Sequence, residues 1–67
     1  MNEDFYDRAA NIRTEYKRLV KAAAYATTER QRNTLKVAAR ATAYRMKLLL
    51  KDNGYNPSTE EVLDYLK

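Results

Sequence analysis

Apolar side chains recur every three or four residues through the first half of the chain, which is the spacing of one face of an α-helix. The positions on this face are Phe5, Ala9, Ile12, Tyr16, Leu19, Ala23 and Ala26. A second face with the same spacing, out of phase with the first, is formed by Leu35, Ala39, Thr42, Met46 and Leu49. Because residues 27–34 between them are polar on every side, the pattern predicts two helices.

The polar stretch has the residues of a helix start, since Thr28 followed by Gln31 fits a capping box. We therefore predict an antiparallel helical hairpin, with helices over about residues 3–26 and 29–52. One continuous helix through the polar stretch is the alternative. Such a helix would need a dimeric partner along most of its length.

A second break follows the hairpin. Gly54 suits the left-handed position after a helix, with Tyr55 folding back toward Leu50 as in a Schellman motif. Ser58 and Glu61 then form a capping box, which predicts a helix over about residues 59–66. Because so short a helix does not persist alone, it should dock on the hairpin. The expected fold is all-α, with residues 1–67 forming a single small helical domain.

The middle helix carries another apolar stripe, roughly opposite the face that begins at Leu35. Its members are Val37, Ala41, Tyr44 and Leu48. One helical neighbour cannot cover both faces. In one interpretation the first helix takes one side and the third helix takes the other. In the alternative, the stripe is a seam for a partner protein or for a second copy in a homodimer.

The composition argues against enzymes and metalloproteins. The chain has 67 residues with no His and no Cys, so it lacks the usual near-neutral acid-base group, the strongest side-chain nucleophile and any disulfide. Its one Gly excludes a Gly-rich phosphate loop. Seven of the nine acidic residues lie at the two ends, which gives no obvious oxygen cage for a metal ion. We expect a non-catalytic protein without metal or cofactor.

The chain shows no segment that addresses it to a membrane. The first residues are acidic and no apolar run of signal-peptide or membrane-spanning length follows. Trp, which favours membrane interfaces, is absent. We expect a soluble, cytoplasmic protein that does not bind a membrane.

Charge is divided unevenly along the chain. The 13 Lys and Arg against 9 Asp and Glu give a net charge of only +4. Residues 8–51, however, hold twelve of the bases and two of the acids, a net charge of +10, whereas each end carries −3. Acids at the starts of the first and third helices complement the helix dipoles. That accounts for the acidic ends but not for the basic middle.

The bases of the hairpin fall in two rows. On the middle helix a row about 28 Å long at 1.5 Å per residue consists of Arg32, Lys36, Arg40, Lys47 and Lys51, with Tyr44 at its edge. The row on the first helix consists of Arg13, Lys17 and Lys21. Like charges at i, i+4 repel, so both rows destabilise their helices unless an anion neutralises them. A solvated helix face is the alternative, although such a face usually interleaves Glu with Lys.

These rows predict a surface that binds a polyanion. The favoured hypothesis is a small regulatory or architectural protein that contacts the phosphate backbone of nucleic acid, DNA rather than RNA, with low sequence specificity. The alternative is a non-catalytic adaptor or inhibitor that uses its middle helix to bind an acidic surface of a partner protein.

Overall fold

Three helices account for the regular structure of residues 3–67, which are the residues that the computed structural model describes. They are α1 (Glu3–Ala24), α2 (Glu29–Asp52) and α3 (Thr59–Tyr65). The predicted all-α fold, a helical hairpin followed by a short C-terminal helix, is confirmed. The alternative of one continuous helix through residues 27–34 is wrong. Met1 and Asn2, which the predicted domain includes, lie outside the described residues.

The first helix ends two residues before its predicted end at Ala26, because the backbone tightens there. The Tyr25 amide donates to the Ala22 carbonyl (3.2 Å), and the Ala26 amide donates to the Ala23 carbonyl (3.3 Å). Bonds to the third residue back satisfy carbonyls that the last α-helical turn leaves open. Ala26 therefore belongs to the turn, where its side chain is half-buried.

The start of α2 uses one half of the predicted capping box. Thr28 has an extended backbone (φ −120°, ψ 153°), and its hydroxyl accepts a hydrogen bond from the Gln31 amide at 3.1 Å. The Gln31 side chain does not return to the Thr28 amide, and its carbonyl oxygen instead accepts from the Thr27 hydroxyl at 3.4 Å. One orphan amide of α2 is thus satisfied by Thr28.

The end of α2 is the predicted Schellman motif. Gly54 has φ +88°, the left-handed region that favours glycine. Its amide donates to the Lys51 carbonyl (3.1 Å), and the Tyr55 amide donates to the Leu50 carbonyl (3.0 Å). These are the two bonds that define the motif, so the chain reverses here and returns toward the hairpin.

The third helix begins with a complete capping box. The Glu61 amide donates to the Ser58 hydroxyl (3.2 Å), and the Ser58 amide donates to the Glu61 carboxylate (3.1 Å). Val62 and Leu66, one turn apart, are buried to 5% and 2% exposure. Leu66 is the C-cap, so the helix proper ends one residue before its predicted end. As expected, this seven-residue helix is docked on the hairpin.

The bulky core lies at the end of the hairpin far from the turn. Its buried members are Phe5, Ala9, Ile12, Met46, Leu49, Leu50, Val62 and Leu66. Nearer the turn the buried positions are small, Ala23 and Ala39. Thr42, the polar member of the second predicted face, is buried because its hydroxyl donates to the Ala38 carbonyl at 2.9 Å. Both predicted faces therefore meet between α1 and α2, but only one end has bulky packing.

The third helix does not cover the second apolar stripe of α2, so that interpretation is wrong. Val37, Tyr44 and Leu48 are 63%, 57% and 42% exposed, and Ala41 is also exposed. The reason is that α3 packs into the core with Val62 and Leu66. The stripe consequently remains an uncovered surface of the described chain.

Candidate functional site

The predicted basic row of α2 is accessible, and none of its bases forms an ion pair within the described residues. Arg32, Lys36, Arg40 and Lys51 are exposed, and Lys47 is half-buried. Among the described side chains, ion pairs join Arg8 to Asp4, Arg45 to Glu15 and Lys67 to Asp64. None of these pairs includes a base of either predicted row. No carboxylate among the described residues therefore pairs with the bases of these rows.

The predicted row of α1 is divided by the structure. Lys17 and Lys21 are exposed, whereas Arg13 is half-buried. Arg13 donates from Nε to the backbone carbonyl of Tyr65, the last residue of α3, at 2.8 Å. Carbonyls at a helix C-terminus need such donors. Arg13 thus holds α3 in place, while Lys17 and Lys21 carry the accessible charge of this row.

A shallow depression, which we name the open groove, lies between the helices on the side where α3 docks. It holds about 640 Å³, and its floor and walls include Tyr16, Val20, Ala24, Ala39, Ala43 and Leu63. Arg32, Lys36 and Arg40 form one rim. A second cavity of about 430 Å³ shares Tyr16, Val20, Ala24 and Leu63 with the first. It therefore extends the same apolar floor sideways.

The second cavity is also lined by bases, and we name its bases on α1, Lys17 and Lys21, the second rim of the open groove. Lys67 lines the same cavity but is paired with Asp64 at 3.0 Å. Within the described residues, no acidic side chain lines either cavity. The structure thus brings bases of both predicted rows to the lining of one shared apolar floor.

The open groove exists because the third helix is short. Side-by-side helices leave a furrow that a third helix can fill at axial distances of about 8–10 Å. α3 has seven residues and fills this furrow only beside the bulky core. Toward the turn the furrow is lined by alanines, and Val20 and Leu63 remain 45% and 42% exposed. The part of the furrow nearer the turn is therefore not filled by the described chain.

The acidic residues of the hairpin lie away from this surface or at its end. Arg45 Nη1 contacts Glu15 Oε2 at 2.8 Å, and neither residue lines the open groove. This ion pair links α1 to α2. Glu29 stands in the first turn of α2, where a negative charge complements the helix dipole.

The second apolar stripe forms a separate candidate contact surface. Val37, Tyr44 and Leu48 are exposed large apolar side chains on one helix. None of the three lines the open groove. Leu48 instead borders a cavity of about 430 Å³ that includes Arg8 and Arg45. The molecule thus presents a basic groove and an apolar stripe as two distinct surfaces.

Within the described residues, no three acidic side chains are grouped so that they could hold a metal ion. None of the described helices combines the length and the apolar character that crossing a bilayer requires. Comparisons with protein-family models, with curated proteins and with solved structures gave no significant match.

Proposed function

We propose that this protein binds nucleic acid through the phosphate backbone, with low sequence specificity, in a regulatory or architectural role in the cytoplasm. The observation that carries the proposal is the placement of Lys17 and Lys21 on one rim of the open groove and of Lys36 and Arg40 on the other. Two basic rows on one side of the molecule provide contacts to successive phosphates.

The geometry suits a backbone rather than a base sequence. Arg32 to Arg40 spans about 12 Å along α2 at 1.5 Å per residue, and Lys47 and Lys51 prolong the row toward the end of α2. Charged side chains in a row contact phosphates without reading base edges. The short helix α3 is acidic in its first turn, through Glu60 and Glu61, which disfavours it as a recognition helix. We therefore favour DNA over RNA, with little preference among sequences.

Binding to labelled oligonucleotides over a range of salt concentrations tests this proposal. If the five exposed bases at the rims neutralise phosphates of a duplex, log K should fall against log salt with a slope of about −4 to −5. Duplex DNA, single-stranded DNA and RNA of equal length are compared after nuclease treatment of the purified protein. A flat salt dependence, or no binding at about 50 mM salt, contradicts the proposal.

A pair of double variants with equal net charge separates the rims from overall charge. Replacing Lys36 and Arg40 with Gln removes two rim charges, and replacing Arg18 and Arg30 with Gln removes two exposed charges elsewhere. In the rim variant, the slope of log K against log salt should become shallower by about one to two units, since each lost phosphate contact contributes about 0.9 to it. The control should keep the slope. Equal losses in both variants indicate attraction by net charge alone.

A second candidate function is a non-catalytic adaptor or inhibitor that binds a partner protein through α2. It is favoured by one observation: Val37, Tyr44 and Leu48 remain exposed on a single helix face. Exposed apolar stripes of this kind are typical of protein contacts, and the same surface would serve a homodimer. A pull-down with and without nuclease distinguishes the two functions, because a protein partner survives nuclease. Sedimentation equilibrium tests the homodimer.

A further inference from the structure

We infer that the open groove is a docking site for an acidic amphipathic helix of a partner protein, an interaction that goes beyond nucleic-acid binding. The first reason is its apolar floor. Val20 and Leu63, which line both cavities together with Ala24, are 45% and 42% exposed. Phosphates gain nothing from such a surface, whereas the apolar face of a helix does.

The charge of the rims selects the kind of helix. Five bases of the hairpin line the two cavities: Lys17, Lys21, Arg32, Lys36 and Arg40. No carboxylate among the described residues lines the floor or the rims. A helix that lays an apolar face on the floor directs its flanks toward both rims. Acidic flanks are complementary to them and basic flanks are repelled.

The chain itself contains a helix of this kind in the same furrow. α3 is acidic through Glu60, Glu61 and Asp64, and it buries Val62 and Leu66 against the hairpin. The hairpin thus already accommodates one short acidic amphipathic helix between α1 and α2. The open groove offers the same surroundings nearer the turn, with additional bases and without an occupant.

The length of the open groove sets the size of the occupant. α3 is about 10 Å long and α2 about 36 Å at 1.5 Å per residue. The α1 residues of the floor, Tyr16 to Ala24, span about 12 Å. A partner helix with two to three turns in contact fills this space. With it in place, the hairpin would be covered as in a complete three-helix bundle.

Two synthetic 14-residue peptides of identical composition test the inference. Both contain Leu and Glu. One places Leu at i, i+3, i+4 and i+7 to form a single apolar face, and the other scatters Leu around the helix. Calorimetric titration into the intact protein should show at least tenfold tighter binding of the amphipathic peptide. In NMR spectra of the protein, the amphipathic peptide should cause the largest amide shifts at Val20, Ala24 and Leu63. Equal affinity for both peptides overturns the inference.

The chain offers a matched pair of variants for this experiment. Leu63 in the floor and Leu48 on the other surface are both 42% exposed, so Leu63→Ala and Leu48→Ala remove the same side chain at the same exposure. Leu63→Ala should lower the affinity for the amphipathic peptide roughly fivefold, while Leu48→Ala should leave this affinity unchanged. Circular dichroism verifies that both variants stay helical. An equal loss of peptide affinity in both variants overturns the inference, as do NMR amide shifts centred on Val37 and Leu48.

The same variants keep this inference separate from nucleic-acid binding. Leu63→Ala changes no charge, so affinity for the oligonucleotide should stay within about twofold. The rim variant, in which Gln replaces Lys36 and Arg40, should have lower affinity for both the peptide and the oligonucleotide. The two ligands should also compete for the unmodified protein. Failure of the peptide to bind, with intact oligonucleotide binding, overturns only the docking site. The reverse result overturns only the nucleic-acid proposal.

Discussion

Arg13 and Tyr65 are 52 positions apart in the chain, yet Arg13 Nε donates to the Tyr65 carbonyl at 2.8 Å. The contact joins the middle of α1 to the last turn of α3. It satisfies a carbonyl that the end of a helix leaves without an intrahelical partner. A base that the sequence places in a binding row thus holds the third helix on the hairpin.

Replacing Arg13 with Ala should therefore loosen α3. The loss of one charge-assisted hydrogen bond predicts a decrease of about 1 kcal/mol in the free energy of unfolding, measured by urea denaturation. Amide hydrogen exchange should accelerate first in residues 59–66. Arg18→Ala is the control, because Arg18 is exposed on the same helix and its replacement removes the same charge. Equal destabilisation by both variants contradicts a specific role for Arg13.

The sequence predicts the helices well because their signals are local. The spacing of apolar residues, the N-caps Thr28 and Ser58 and the left-handed Gly54 after the C-cap of α2 all act within a few positions. All three of these end signals are present in the structure. The reciprocal bond from Gln31 to the Thr28 amide is absent, and the Gln31 side-chain oxygen accepts from the Thr27 hydroxyl instead. The spacing of a capping box does not encode this choice of partner.

Gly54 should be the most sensitive position in the connection between α2 and α3. Its φ is +88°, and a Cβ there meets no atom within 4 Å, so the cost of Gly54→Ala arises from the backbone conformation alone. We expect a loss of about 1–2 kcal/mol. Gly54→Asn should cost less, because Asn tolerates the left-handed region better. Thermal unfolding of both variants measures the difference, and equal costs contradict this explanation.

The site is less predictable than the helices because it depends on how the helices sit together. Lys17 and Lys36 belong to separate rows in the sequence, and only their packing places them across one floor. Val20 lies beside the predicted face of α1 rather than on it, and Leu63 is one of several apolar residues in a short helix. The spacing of Val20 and Ala24, four residues apart, is the signal that identifies one wall of the open groove.

Leu50 and Leu48 should differ sharply when each is replaced with Ala. Leu50 is fully buried within the core cluster, so the change removes its contacts and leaves a cavity at a cost of about 2–5 kcal/mol. Leu48 is 42% exposed, so Leu48→Ala should lower the free energy of unfolding by less than about 1 kcal/mol. A domain of this size has a stability of about 3–10 kcal/mol. Urea denaturation should therefore find a large loss of stability in Leu50→Ala and almost none in Leu48→Ala.

Lys36 should affect stability and binding in opposite directions. Arg32 and Arg40 lie four residues before and after it, and no ion pair among the described residues involves any of the three. Lys36→Glu replaces two repulsions with two attractions, which should stabilise α2 by about 0.5–1 kcal/mol at low salt. The gain should shrink at about 0.5 M salt, where exposed charges are screened.

The same variant should lose affinity for the oligonucleotide and for the acidic peptide, since it places a carboxylate on a rim of the open groove. Lys36→Gln is the control. It should show a smaller gain in stability and a smaller loss of affinity than Lys36→Glu. Denaturation and titration on the same preparations measure both effects. A basic row kept for an anion predicts this opposition, because the repulsion that weakens the helix is relieved when the anion binds. If Lys36→Glu binds as well as the unmodified chain, the row is an ordinary solvated helix face.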